Sequence, residues 1–223
     1  MSPKRIPDPS DIIGVLLAGG QSRRMFQART GSDPSAGDKG LLDIAGQPML
    51  GHVITRLRSQ VARMVINANG DPARFSRFGL PVTPDTIGGH PGPLAGVLAG
   101  MRWSRVHAPG ATHIATVSTD APFLPVDLVA RLACEPGEGA IALAASGGEL
   151  HPVIGLWPVA LADDLEQALV SGVRKVLAWT DRHGTRTVDF AFQTIGGRSV
   201  DPFFNANTPA ELDEARALLA PSA

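Results

Sequence analysis

The stretch Gly14-Val-Leu-Leu-Ala-Gly-Gly-Gln-Ser-Arg-Arg-Met25 decides how the chain is read. It continues an apolar run that begins at Ile12, stops at two glycines and is followed closely by two arginines. A short continuous apolar run is what a strand buried on both faces requires, because helices cover both sides of a parallel sheet. In open α/β sheets, ligands bind beyond the carboxyl ends of the strands. Glycine at such an end lets the backbone approach a ligand without a Cβ clash, and successive free N–H groups cup an anion. Arg23 and Arg24 add planar, charge-assisted donors suited to phosphate oxygens. The stretch therefore predicts a strand, a tight turn and a nucleoside triphosphate site. Two glycines alone are also an ordinary strand-to-helix turn, so the loop must be weighed with the rest of the chain.

Two better-known phosphate loops are excluded. The dinucleotide fingerprint G-x-G-x-x-G has neither its spacing nor its third glycine in Gly19-Gly20-Gln21-Ser22-Arg23-Arg24. Gly31–Lys39 reads GSDPSAGDK, which misses the P-loop spacing and places aspartate between glycine and lysine.

Alternation of elements sets the fold class. Helical spacing runs over Pro48–Arg58, and strands are expected at Met64–Ala68 and Leu80–Thr83. Pro93–Trp103 is rich in small residues and reads as a helix packed closely on a sheet. Thr112–Ser118 is a strand that runs into Thr119-Asp120-Ala121-Pro122, followed by a helix over Val126–Ala133. Strands at Ala140–Ala145 and Pro152–Leu156 precede helices at Val159–Val170 and Arg174–Asp181. Thr208-Pro209-Ala210-Glu211 is a capping box that opens a last helix ending near Leu219. The pattern predicts a three-layer α/β/α Rossmann-like sandwich with a mostly parallel sheet, one domain over residues 1–223. Residues 1–11 are expected as a loose tail and 26–37, polar and small, as a mobile loop.

Composition narrows the partners. A formal net charge of −1 gives no global field for nucleic acid or anionic lipid, so phosphate must be held by a local site. One cysteine permits no intrachain disulfide. No stretch approaches eighteen consecutive apolar residues, and the start lacks the apolar core of a signal peptide. A cytoplasmic protein with small-molecule substrates is expected, with no nucleic acid or membrane partner, acting as a monomer.

The loop gains meaning from residues far along the chain. Leu17-Ala18-Gly19-Gly20-x-Ser22-x-Arg24-Met25 and Asp38-Lys39-x-Leu41-Leu42 resemble the nucleotidyltransferases that build sugar nucleotides and the molybdenum cofactor. Gly92-Pro93-Leu94-Ala95-Gly96, Thr119-Asp120-Ala121-Pro122-Phe123-Leu124-Pro125, His151-Pro152 and Phe204-Asn205-Ala206-Asn207-Thr208-Pro209 narrow the likeness to the molybdenum cofactor guanylyltransferases. The ordered set spans roughly residues 12 to 219. The resemblance implies transfer of GMP from GTP to molybdopterin with release of pyrophosphate, and Mg2+ as cofactor. Molybdoenzyme apoproteins or other cofactor-biosynthesis proteins are the implied partners. The nucleotide site it implies comprises Leu17, Ala18, Gly19, Gly20, Arg23, Lys39, Asn67, Asp85 and Asp120. Lys39, Asp120 and Arg24 are the implied catalytic residues, and Asp120 is the implied metal ligand.

These residues also have bare physical readings. Lys39 would bring a compact charge to the triphosphate, or be a solvated lysine after a loop. Asp38 would orient that lysine or cap the next helix. Asp120 ends a buried strand; it suits magnesium, which needs few carboxylates, and equally suits a turn before Pro122. Asn67 and Asp85 would read a base or ribose, or form turns. Asn205 and Asn207 would contact substrate or shape the turn into the capped helix. His151 reads as an ordinary strand histidine, Arg174 and Lys175 as a solvated face or phosphate contacts, and Trp103, Trp157 and Trp179 as packing.

One departure stands out. Asp38-Lys39 arrives roughly nine residues later than the resemblance predicts, which marks residues 26–37 as an insertion. A cytidylyltransferase of the same cofactor, another sugar- or alcohol-phosphate nucleotidyltransferase, and a GTP-binding regulator without activity are the remaining alternatives.

Overall fold

The computed structural model describes residues 7–19, 38–88, 92–134 and 141–220. Ile12–Leu17 forms β1, and its side chains alternate between two cores as the strand period of two demands. Ile12 and Leu16 join one apolar cluster, while Ile13 and Val15 join the other. A two-stranded ribbon follows, β2 at Asp43–Ile44 and β3 at Gln47–Pro48, leading into α1 at Met49–Leu57. Next come β4 at Arg63–Asn67, the short β5 at Val82–Thr83 and α2 at Pro93–His107. Then β6 at His113–Ser118, α3 at Leu128–Cys134, β7 at Ile141–Ser146 and the long β8 at Glu149–Pro158 complete the central strands but one. The helices α4 at Ala162–Val170 and α5 at Val176–Thr180 precede β9 at Thr185–Phe190. The hairpin β10 at Gln193–Ile195 and β11 at Arg198–Val200 leads to α6 at Pro209–Leu219.

The seven-stranded sheet has the order β5-β4-β1-β6-β8-β7-β9. Only β8 runs against the others. Helices α1 and α3 bury Leu50, Val53, Leu57, Leu128 and Leu132 on one face. Helices α2 and α4, with Trp179 of α5, bury Leu94, Val97, Leu165 and Leu169 on the other. The expected three-layer α/β/α fold with a mostly parallel sheet is thus present. A smaller third core pins Leu212, Ala215 and Leu218 of α6 against Ile44 and Met49.

Helix α2 lies close on β1 because two glycines one turn apart face the strand. A Cβ at Gly100 would sit 2.6 Å from Val15 Cγ2, and one at Gly96 would sit 2.7 Å from Leu17 Cδ2. The last helix begins as its capping box predicts: Glu211 N donates to Thr208 Oγ1 at 3.3 Å, and Thr208 N donates to Glu211 Oε2 at 2.8 Å.

Several boundaries differ from the sequence reading, each for a physical reason. Strand β8 starts three residues before Pro152, because the pairing register shifts between Leu143 and Ala144 and so makes room for an inner-strand proline. The expected helix Val159–Val170 begins as a 3-10 turn at Val159–Leu161, and the helix expected at Arg174–Asp181 shrinks to Val176–Thr180. Strand β9 and the β10–β11 hairpin carry too few buried apolar residues to announce themselves. At the amino end, Pro9–Asp11 forms a 3-10 turn capped by Asp8, and Asp11 O accepts from Thr112 N at 2.9 Å. The insertion at 26–37 lies outside the described residues. Trp157 and Trp179 are fully buried, and Trp103 stacks on His107 with centroids 4.6 Å apart, so all three pack as expected.

Candidate functional site

The carboxyl ends of β1, β4, β5 and β6 meet along one edge of the sheet, and most of the predicted residues converge there. Leu17, Gly19, Asn67, Asp85 and Gly96 line a cleft of about 250 Å³ that Ser118 and Val153 close on the far side. A larger cavity of about 370 Å³ opens on the opposite edge between Arg58, Met64, Leu80 and Trp103, with no carboxylate in its lining. The chemistry-bearing residues lie at the smaller one.

Asn67 is the floor of the cleft and is buried. Its amide donates to Thr83 O at 3.2 Å and to Asp85 Oδ1 at 3.0 Å. That turns Asn67 Oδ1 toward Gly96 and Gly19, where a Cβ would lie 2.4 Å and 3.8 Å away respectively. Glycine at 96 is thus what keeps this oxygen facing the cleft. Asn69 completes the arrangement: its amide donates to Asp85 Oδ2 at 2.8 Å, and its Oδ1 accepts from Asp85 N at 2.9 Å. The carboxylate of Asp85 is therefore held at both oxygens, each with a lone pair to spare.

Beside the cleft, Lys39 Nζ pairs with Asp120 Oδ2 at 2.8 Å and donates to Asn207 Oδ1 at 2.5 Å. Gly40 allows this, since a Cβ there would come within 2.9 Å of the Thr119 side chain. Ser118 Oγ donates to the other oxygen of Asp120. The segment carrying Asn207 is docked on the same strand end, with Ala206 N donating to Asp120 O at 3.3 Å. Asp38 stands at the N-cap of the Lys39–Leu41 turn. Its side chain forms no close capping hydrogen bond there, although the Gly40 N–H beside it pulls its carboxyl downward. Its Oδ2 lies 3.5 Å from Arg74 Nε, and burial holds its carboxyl above the ordinary range against the pull of that guanidinium. Arg74 in turn donates to Asn69 O at 2.7 Å and Asp71 O at 2.5 Å.

Known proteins supply the rest of the context. A family model described as the MobA-like NTP transferase domain matches residues 14–186. A molybdenum cofactor guanylyltransferase of Bradyrhizobium sp. (strain ORS 278) is 51% identical over 94% of this chain and 93% of its own. One from Rhizobium meliloti (strain 1021) is 49% identical over 92% of this chain and 90% of its own. The chain belongs to the molybdenum cofactor guanylyltransferase family. Among solved structures, molybdopterin-guanine dinucleotide biosynthesis protein A from Archaeoglobus fulgidus shares the fold, with a TM-score of 0.63 at 20% identity. It covers 92% of this chain and 97% of that one. So does the 4-diphosphocytidyl-2C-methyl-D-erythritol synthase of Anaerococcus prevotii, with a TM-score of 0.67 at 10% identity over 95% and 99% of the two chains.

In this guanylyltransferase family member the structure brings together Leu17, Gly19, Lys39, Asn67, Asp85 and Asp120, with Ala18 buried behind them. Gly20, Arg23 and Arg24 lie outside the described residues. Arg174 donates to Leu169 O at 2.7 Å and Val173 O at 2.9 Å, closing the end of α4. Sequence reasoning missed Asn69, although an asparagine two residues past Asn67 is the spacing that puts both amides on one face of an extended segment. It gave no reading of Ser146 or Asp201, which hydrogen-bond to each other across 55 residues of sequence. Among the described residues no group of three His, Cys, Asp or Glu side chains is arranged to hold a metal alone. Asp120 supplies a single hard oxygen donor, enough for a divalent ion that takes its remaining ligands from phosphate and water.

Proposed function

We propose that the chain transfers GMP from GTP to molybdopterin carrying molybdenum, giving the guanine dinucleotide form of the cofactor and pyrophosphate. One observation carries the reading: Lys39, Asp120 and Asn207 meet at the strand ends beside a cleft whose base is the Asn67–Asp85 pair. The names of relatives at 49–51% identity support it.

Guanine presents N1–H and a 2-amino group as donors along one edge. Asn67 Oδ1 and the Asp85 carboxylate are acceptors, so the cleft suits guanine. Cytosine offers a single amino donor beside acceptor atoms, which disfavours the cytidylyltransferase reading. The backbone of Leu17-Ala18-Gly19-Gly20 and the charges of Arg23, Arg24 and Lys39 would hold the triphosphate.

The reaction needs little proton chemistry, because the attacking group is a phosphate oxygen already ionised at neutral pH. It attacks the α-phosphorus, the bond to the β-phosphate oxygen breaks, and pyrophosphate leaves. The obstacle is repulsion between two anions, which Lys39 offsets while holding the α-phosphate for in-line attack. Asp120 is the residue that would hold Mg2+, whose charge, when bound, offsets the same repulsion. We place the enzyme in the cytoplasm, acting as a monomeric single domain; among the described residues no helix is long and apolar enough to cross a membrane.

The test is purified protein with magnesium, molybdopterin and each nucleoside triphosphate in turn, followed by pyrophosphate release. GTP alone is expected to give acceptor-dependent release. Dominant release from CTP would install the cytidylyltransferase reading. GTP binding with no release would leave a regulator.

A further inference from the structure

The sheet edge that carries the nucleotide cleft continues past Asp120 onto β8 and β7, and a second polar group sits there that the chemistry above does not use. Ser146, at the end of β7, is 1% exposed. Its hydroxyl donates to Asp201 Oδ1 at 2.7 Å and lies 2.7 Å from His151 Nε2. Asp201 Oδ1 also accepts from Phe203 N at 2.8 Å, and the His151 ring packs on Phe203 with centroids 4.7 Å apart.

Proton accounting decides the tautomer. The serine proton goes to the carboxylate, so the hydroxyl oxygen can only accept from the histidine, and Nε2 carries the proton. The order carboxylate–serine–histidine is thus not that of a nucleophile activated by a base. Nδ1 is left with a lone pair and no partner among the described residues. Burial lowers the affinity of the ring for a second proton, against the opposing fields of Asp201 and Glu149, which keeps that lone pair available.

The backbone is shaped around this histidine. Strand β8 lies between β6 and β7, a position that excludes proline except at a bulge. The β7–β8 register jumps there: Leu143 pairs with Gly155 and Ala144 with His151, with Pro152, Val153 and Ile154 passed over. Bulges re-aim side chains and gather near active sites. The bulge leaves Val153 in the wall of the nucleotide cleft, beside Ser118. From Asp201 the chain then runs to Asn207 and so to Lys39. The edge is therefore one linear array: base cleft over β5, β4 and β1, charged centre at β6, and this cluster over β8 and β7.

In-line displacement requires the acceptor to enter opposite the leaving pyrophosphate, and the β8–β7 side is the portion of the edge that the base leaves open. We propose that His151 is an acceptor-binding residue, offering Nδ1 to a ring N–H or amino donor of the heteroaromatic acceptor, with Ser146 and Asp201 as its positioning residues. This rests on the transferase reading above.

The test compares His151→Ala, Asp201→Ala and Asp201→Asn in the full chain, each checked by thermal unfolding. His151→Ala is expected to raise the acceptor KM about tenfold, as loss of a buried-edge hydrogen bond does, with calorimetric GTP affinity unchanged. Asp201→Ala is expected to do the same more weakly, and Asp201→Asn, which keeps the Oδ1 acceptor, to restore most of the loss. An unchanged acceptor KM in His151→Ala, or a matching loss of GTP affinity in the folded variant, overturns the inference. If the wild-type protein itself releases no pyrophosphate with molybdopterin, the transferase reading has failed first.

Discussion

The two halves of the active edge are built by different means. Over β5, β4 and β1 the strands are parallel, and the cleft is made of backbone and absent side chains. Gly19 and Gly96 leave space, and two asparagines fix one carboxylate. Over β8 and β7 one strand runs antiparallel with a bulge, and the surface is made by a side-chain chain of Asp201, Ser146 and His151. The first half suits a flat base that approaches the backbone closely. The second offers a directional contact on a rigid strand. Lys39 stands where they join, touching Asp120 on one side and Asn207 on the other.

Removing that junction gives the largest expected effect. Lys39→Met keeps the stem and deletes the charge. It leaves Asp120 and Asn207 without a partner they now share, and it strips a cation from the transferring phosphate. A fall in kcat/KM of about a hundredfold is expected, the scale of losing one preorganised electrostatic contact. Both substrates should be affected. A variant in which only the GTP terms change would show that the two halves work independently.

What could be read from the sequence follows the same division. The residues of the first half sit in short local patterns: Leu17-Ala18-Gly19 after an apolar run, Asn67 and Asp85 just after strand ends, Asp120 before Ala121-Pro122. Their positions at strand ends were legible locally, while their roles at a nucleotide were implied by the family resemblance and stay a proposal. The fold was legible for the same reason, since β1, β4 and β6 are apolar runs with both faces buried. The second half depends on contacts between residues 146, 151 and 201, which no local pattern announces. His151 looked like any strand histidine because the register jump that singles it out is a property of pairing with β7. The contact of Asp38 with Arg74 was not legible, because Arg74 comes from a 3-10 turn 36 residues away.

Gly96→Ala should break the first half alone. The new Cβ would lie 2.4 Å from Asn67 Oδ1, and Asn67 is held by two hydrogen bonds and cannot yield cheaply. Overpacking of this kind costs about 1–3 kcal/mol, so a GTP KM raised about tenfold is expected, with the acceptor KM unmoved. Gly100→Ala is the control one turn along the same helix. It clashes with Val15 in the core and away from the cleft, so it should lower thermal stability and leave the GTP KM alone. If both variants shift the GTP KM equally, the cleft is responding to the position of α2 as a whole, and the oxygen of Asn67 is not what reads the base.

The smallest effect concerns Asp38, which belongs to neither half and supports the turn that carries Lys39. Its carboxyl is held above the ordinary range because burial outweighs the attraction of Arg74. A carboxyl raised on folding binds its proton more readily in the folded state than in the unfolded one. Its contribution to stability is therefore fully present below the unfolded value near 3.8 and is lost as pH rises through the folded value. At neutral pH the buried charge is a net cost even with its partner. Asp38→Asn, nearly the same shape, removes that cost and should raise Tm at pH 7 by about 2 °C. The gain should shrink as the pH is lowered through the folded value toward the unfolded value near 3.8. A Tm that falls at pH 7 would mean that the Arg74 contact outweighs the burial cost, and that Asp38 is held ionised to fix Arg74 across the loop rather than tolerated in spite of its charge.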